Sequence, residues 1–270
     1  MNSTFLYGAH VHANDIRQHY LRYGGAGTPL VIVPGMTSPA AMWGFVAERF
    51  GRSFDTYVVD VRGRGLSAAG PDLDYGLDSC AADVAAFAQT LGLAPYVLLG
   101  HSMGGRVAIR AAGQHNPRGL KRLVLVDPPV SGPGRRAYPM PLSWYIDSIR
   151  QAGRGVTVNE MRAQLPTWSD AQLRLRSEWL PTCDERAITI SHRGFEEDDI
   201  HKDLPLIGVP TLLVAAGKGE VILPQELDEI ARLLPFIQTV RVESSGHMIP
   251  WDDFEAFFPA VEGFIAGGTP

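Results

Sequence analysis

Residues 98–106 read LLGHSMGGR, a G-x-S-x-G pattern with Ser102 at its centre. The small residues matter because the chain must leave a strand and enter a helix in one strained turn, which lifts the serine hydroxyl above the sheet. The pattern therefore carries weight only with a strand before it and a helix after it. Both flanks fit. Tyr96-Val-Leu-Leu is a short β-prone run, and in RVAIRAAGQH the apolar residues Val107, Ala108, Ala111 and Ala112 recur at helical spacing.

The rest of the chain alternates in the same way. GAHVHANDIRQHYLRYG reads as a hairpin turning at Ala13-Asn14-Asp15, and TPLVIVPG as a buried strand ending in a Pro-Gly turn. A helix is expected over Ala41–Phe50, a strand and glycine loop in FDTYVVDVRGRGLS, and an amphipathic helix over Ser79–Leu91. RLVLVDPPVSG and VPTLLVAAG supply further strands, PQELDEIARLLP a helix, QTVRVESSGH a last strand and FEAFFPAVEGFIAG a closing helix. This alternation predicts an α/β fold with a mostly parallel sheet, helices on both faces, and sites beyond the carboxyl ends of the strands. Between about Pro133 and Pro205 the character changes to helical periodicity, many Arg and Glu, and Trp144, Trp168 and Trp179. That stretch reads as a helical cap, residues 133–205, inserted into a core domain formed by 1–132 and 206–270.

A serine hydroxyl is a weak nucleophile unless an imidazole lies within hydrogen-bond reach and a carboxylate orients that imidazole. On this kind of strand-to-helix turn the chain order is serine, acid, histidine. His247, in SSGHMIPWDD, lies between the last strand and the last helix and is the expected base. His101 adjoins the serine, but successive residues on a sharp turn point apart, so it is read as supporting the turn. For the acid the expectation is Glu220, in the loop GKGEVILP after VPTLLVAAG. Asp127, after RLVLV, is a rival, and Glu226 fits the start of the following helix through its dipole. Backbone N–H groups of Met103, after the serine, and Met36, after the Pro34-Gly35 turn, are the expected donors to a developing oxyanion.

Composition narrows the partners. A formal net charge of −5 with no long Lys/Arg block argues against a nucleic-acid surface or an anionic membrane. The start MNSTFLYGAHVHAND lacks the features of a signal peptide and no apolar run is long enough to span a bilayer, so a cytoplasmic location is expected. Cys80 and Cys183 form no CxxC pair and read as reduced structural thiols, and His10-Val-His12 alternates as a surface strand would. Neither a metal nor a cofactor is expected.

Taken together, PGMTSP, DVRGRGLS, GHSMGG, GKGEVILP and GHMIPW resemble, across nearly the whole chain, the α/β-hydrolase fold superfamily with a helical cap after the sixth strand. Pro34 stands where that superfamily usually has a histidine, which leaves the Met36 amide in place. The longer strings HANDIRQHYLRYGG, WGFVAERF, FDTYVVDVRGRGLS, GPDLDYG, LVDPPVSGPGRRAYP and GHMIPWDD resemble the bacterial N-formylmaleamate deformylases, cofactor-free amide hydrolases of aerobic nicotinic acid degradation. The resemblance implies cleavage of N-formylmaleamate to maleamate and formate through a formylated Ser102, with His247 on the matching motif. The far carboxylate of such a substrate needs a cation. Arg193, in ISHRGFEED, is the candidate from the arginine-rich cap, with Trp144 as an apolar wall. Two alternatives stay open: another hydrolase of aromatic catabolism (a carbon–carbon bond hydrolase, enol-lactonase or esterase), or a non-catalytic small-molecule receptor.

Overall fold

The computed structural model describes residues 2–267. Strands β1 (Phe5–Ala13), β2 (Ile16–Tyr23), β3 (Pro29–Val33), β4 (Asp55–Val59), β5 (Tyr96–His101), β6 (Leu120–Val126), β7 (Thr211–Ala216) and β8 (Gln238–Val242) form one eight-stranded sheet in the order β1-β2-β4-β3-β5-β6-β7-β8. β1 and β2 pair antiparallel, β2 joins β4 antiparallel, and β4, β3, β5, β6, β7 and β8 run parallel. The hairpin turns at Asn14 and Asp15, both at positive φ (49° and 59°), the backbone that a two-residue turn between twisted strands requires.

The unbroken apolar runs of the central strands follow from burial on both faces. Val31, Val33, Leu98, Leu123 and Leu125 pack into one core with Val84 and Phe87 of α2 (Leu77–Thr90) and Val107 of α3 (Met103–Arg110). The alternating partners Leu30, Ile32, Leu99, Val124 and Val126 pack into a second core with Phe50 of α1 (Gly44–Phe50) and with Phe257 and Phe258 near the carboxyl end. The helix expected over Ala41–Phe50 is split, with a 3₁₀ turn at Ala40–Trp43 preceding α1.

Between β6 and β7 lie α4 (Leu142–Gly153), α5 (Val158–Gln164), α6 (Asp170–Trp179) and α7 (Glu185–Glu197). Each of the last three starts on a side-chain cap: Thr157 with Glu160, Ser169 with Gln172, and Asp184. The chain closes with α8 (Pro224–Leu233), a short α9 (Ile249–Asp252) that periodicity does not announce, and α10 (Phe254–Ile265). Among the described residues no helix is long and apolar enough to cross a membrane. The sheet is extended in opposite directions from β3 and from β5, so a crevice opens between the carboxyl ends of those two strands. Met36 follows one and Ser102 the other.

Candidate active site

Ser102 sits between β5 and α3 at φ 53° and ψ −121°, a backbone that only a tightly packed turn imposes on a residue with a side chain. The flanking glycines are what make the packing possible. A Cβ on Gly104 would lie 2.0 Å from the Val33 carbonyl oxygen, and one on Gly100 would lie 2.2 Å from the Gly104 carbonyl oxygen. Backbone surrounds both, so neither neighbour can give way. We expect Gly104→Ala to destabilise the fold by about 3 kcal/mol or more, measured by urea denaturation; a loss below about 1 kcal/mol would show that the turn tolerates a side chain.

His247 lies in the loop between β8 and α9 and faces the serine. Its Nδ1–H donates to Asp127 Oδ2 at 2.7 Å, and Ser102 Oγ–H donates to its Nε2 at 2.9 Å. Because a carboxylate can only accept, the proton sits on Nδ1 and the Nε2 lone pair is turned to the serine. The oriented carboxylate is therefore Asp127, and the expectation for Glu220 is not met. The reason is strand adjacency. β6 lies beside β5, with His101 opposite Val126, so the residue after β6 stands next to the residue after β5. Asp127 is 1% exposed, takes a positive φ of 45°, and accepts the Ala216 N–H on Oδ1 at 3.2 Å, which leaves Oδ2 for the imidazole. Glu220 is exposed on the loop after β7 and reaches only the wall of the cavity over Ser102. Glu226 accepts the Leu223 N–H at 2.7 Å at the start of α8 and pairs with Arg136.

His101 Nε2–H donates to the His247 carbonyl at 3.1 Å, tying the histidine loop to the serine turn. Burial, reinforced by the nearby His247, pushes its imidazole down to about 3, so it is neutral in the folded protein. A histidine depressed from 6.5 in the unfolded chain contributes stability that is complete above that value and is lost as the pH falls toward 3. His201 is also buried and displaced in the same direction. We expect His101→Asn to remove on the order of 2 kcal/mol of the stability lost between pH 6.5 and pH 5. Thermal denaturation of the variant and the wild type across that range checks it; identical slopes would mean that His101 accepts a proton without cost.

The loop carrying Met36 passes against the turn: a Cβ on Gly35 would lie 3.3 Å from Ser102 Cβ. Among the described residues neither the Met36 nor the Met103 N–H has a protein acceptor. Arg64, which sequence reasoning did not single out, lies behind both. Its Nε donates to the Met36 carbonyl at 3.1 Å, its Nη2 to Met103 Sδ at 3.4 Å and to Ser191 Oγ of α7 at 2.8 Å.

A cavity of about 290 Å³ with a largely apolar wall opens over Ser102 and His247. Trp144 lines it, as do Trp168, Tyr138, Tyr145 and Arg176. Arg193 does not: it is on the outer face of α7, 63% exposed, and pairs with Glu197 at 3.2 Å, so its expected place at the site is withdrawn. Arg176 carried a readable signal. It lies three residues after Leu173 and four before Leu180, both fully buried, so it falls on the apolar stripe of its helix. Among the described residues no group of three or more His, Cys, Asp or Glu could hold a metal.

Residues 28–254 fit the model of the alpha/beta hydrolase fold family. An N-formylmaleamate deformylase of Pseudomonas putida is 62% identical over 263 residues, covering 97% of this chain and 98% of that one. The crystal structure of the N-formylmaleamic acid deformylase of Pseudomonas putida S16 superposes with a TM-score of 0.91 at 54% identity, covering 94% of this chain and all of that one. The structure of an E-2-(acetamidomethylene)succinate hydrolase, at 22% identity and a TM-score of 0.79, shares the fold.

Proposed function

The chain belongs to the α/β-hydrolase family, and on that footing we propose that it hydrolyses the formyl amide bond of N-formylmaleamate, giving maleamate and formate. The observation that carries the reading is full-length similarity to a deformylase of that substrate, joined to a serine, a histidine and an aspartate in hydrogen-bonded series.

Each group has a definite task. Ser102 Oγ attacks the formyl carbon while His247 Nε2 takes its proton, and Asp127 holds the ring and stabilises the imidazolium that forms. The carbonyl oxygen gains negative charge facing the Met36 and Met103 N–H groups, which are already in place and so need no reorganisation as the charge develops. His247 then returns the proton to the departing nitrogen. The carbon–nitrogen bond breaks, maleamate leaves, and the formyl group stays on Ser102 as an ester. Water, deprotonated by the same Nε2, attacks that ester and releases formate. A formyl group has no alkyl substituent, so little space is needed on that side of the carbonyl, and the cavity can be given to the rest of the substrate.

The test is a panel of substrates offered to the pure protein: N-formylmaleamate, an enol-lactone, a carbon–carbon hydrolase substrate and a simple aryl ester. The reading expects formate with many turnovers per chain and the highest kcat/KM on N-formylmaleamate. A higher value on another member of the panel would assign the site to that chemistry, and no turnover of any of them would favour a receptor.

A further inference from the structure

We propose that Arg176 is the anion anchor of the cavity, binding the carboxylate at the end of the substrate remote from Ser102 and selecting acyl compounds that carry one. The inference rests on reading the chain as an acyl hydrolase and adds the residue that recognises the substrate.

The argument is one of unsatisfied donors. Five arginines are buried among the described residues: Arg62, Arg64, Arg106, Arg110 and Arg176. Arg62 forms a two-pronged pair with Asp83, and Arg110 pairs with Asp203 and Asp78. Arg106 donates to four carbonyls, those of Pro129, Ser131, Gly194 and Asp198, and Arg64 to the groups described above together with the Arg62 and Ala187 carbonyls. All four are occupied: Arg62 within the core, and Arg64, Arg106 and Arg110 in bonds that join core and cap. Arg176 is different. It is 4% exposed, yet its one hydrogen bond is a long contact of 3.4 Å from Nη1 to the Thr37 carbonyl, and no carboxylate of the described residues pairs with it. A guanidinium has five N–H donors. Most of those of Arg176 have no protein partner, and of the five buried arginines it alone lines the cavity shared with Ser102 and His247.

A buried cation without a counter-ion is costly to the folded protein unless a ligand completes it. The surroundings hold the charge in place without neutralising it. The guanidinium carbon is 5.9 Å from the ring centres of both Trp144 and Trp168, and Trp168 is itself fixed by stacking on Trp251 at 5.3 Å and 16°. Burial lowers the affinity of the group for its proton, but a guanidinium stays charged. Beside it the Tyr138 and Tyr145 hydroxyls bond to each other at 2.8 Å; one donates to the other, which leaves the second proton free for a ligand oxygen. Glu220, also on the wall, is exposed and does not pair with Arg176. A carboxylate accepts two parallel N–H bonds from a guanidinium, the arrangement these open donors offer.

Two measurements on Arg176→Met and Arg176→Lys test the anchor. The first is the ratio of kcat/KM on N-formylmaleamate to that on the neutral p-nitrophenyl acetate. It should fall by ~10² or more in the methionine variant and by less in the lysine variant, which keeps the charge without the fork. The second is calorimetric binding of maleamate against its uncharged diamide. The wild type should prefer maleamate and the methionine variant should lose that preference. Removal of a buried unpaired charge should also leave the unliganded methionine variant at least as resistant to heat as the wild type, so a folding defect is visible separately. An unchanged ratio together with an unchanged preference, or a wild type that binds the diamide as well as maleamate, overturns the anchor. A wild type that prefers maleamate through Arg176 but does not hydrolyse N-formylmaleamate keeps the anchor and rejects the proposed substrate.

Discussion

Ser102→Ala lowers kcat for formate release by ~10³-fold or more while leaving the protein folded. The size follows from what the hydroxyl does. Without it there is no covalent intermediate, and His247 can only activate water that is not held on the line of attack. What survives is the contribution of the Met36 and Met103 N–H groups and of substrate binding, which do not depend on the serine. The fold is expected to survive because the constraints on the turn come from Gly100, Gly104 and the Val126 carbonyl that accepts the Ser102 N–H at 2.9 Å, none of which involves the hydroxyl. Steady-state rates together with circular dichroism separate the two effects. Near-normal turnover in a folded variant would remove Ser102 from the chemistry.

The second large effect separates two acids. Asp127→Asn should cost on the order of 10³ to 10⁴ in kcat, because an amide in place of the carboxylate can hold the ring in the wrong tautomer and cannot stabilise the imidazolium. Glu220→Gln should change kcat by no more than several-fold, since this carboxylate is exposed and makes no bond to His247 among the described residues. Rates of the two variants, taken side by side, decide between the acids. A crippled Glu220→Gln with a nearly normal Asp127→Asn would mean that the catalytic conformation brings the loop after β7 onto the histidine.

Why the sequence left that choice open is itself physical. Ser102, Asp127 and His247 follow the order serine, acid, histidine, and so do Ser102, Glu220 and His247; order alone cannot separate them. What separates them is which strand lies beside β5, a property of long-range pairing, together with a positive φ at Asp127 that no local pattern announces. The serine turn was legible because its constraint is local: glycines must stand where a Cβ would strike backbone two or three ångströms away. The hairpin, the strands that form the sheet and the helices flanking the serine were legible for the same reason, since burial on one or both faces imposes a period on nearby residues. The carboxylate partner was harder. Choosing Arg193 from an arginine-rich stretch uses composition, whereas Arg176, the proposed anchor, is marked by its place in an apolar helical stripe and by donors without a protein partner, and only the second feature needs the folded structure.

The central claim concerns which bond breaks and at which carbon. N-formylmaleamate has two carbonyls on one nitrogen, and hydrolysis at either is chemically possible. A reaction of the pure protein in ¹⁸O-labelled water, with every product analysed by mass spectrometry, distinguishes them directly. Attack by Ser102 on the formyl carbon followed by water on the formyl ester predicts maleamate without label and formate carrying one labelled oxygen from the solvent. Formamide together with labelled maleate would place the attack on the other carbonyl and contradict the account.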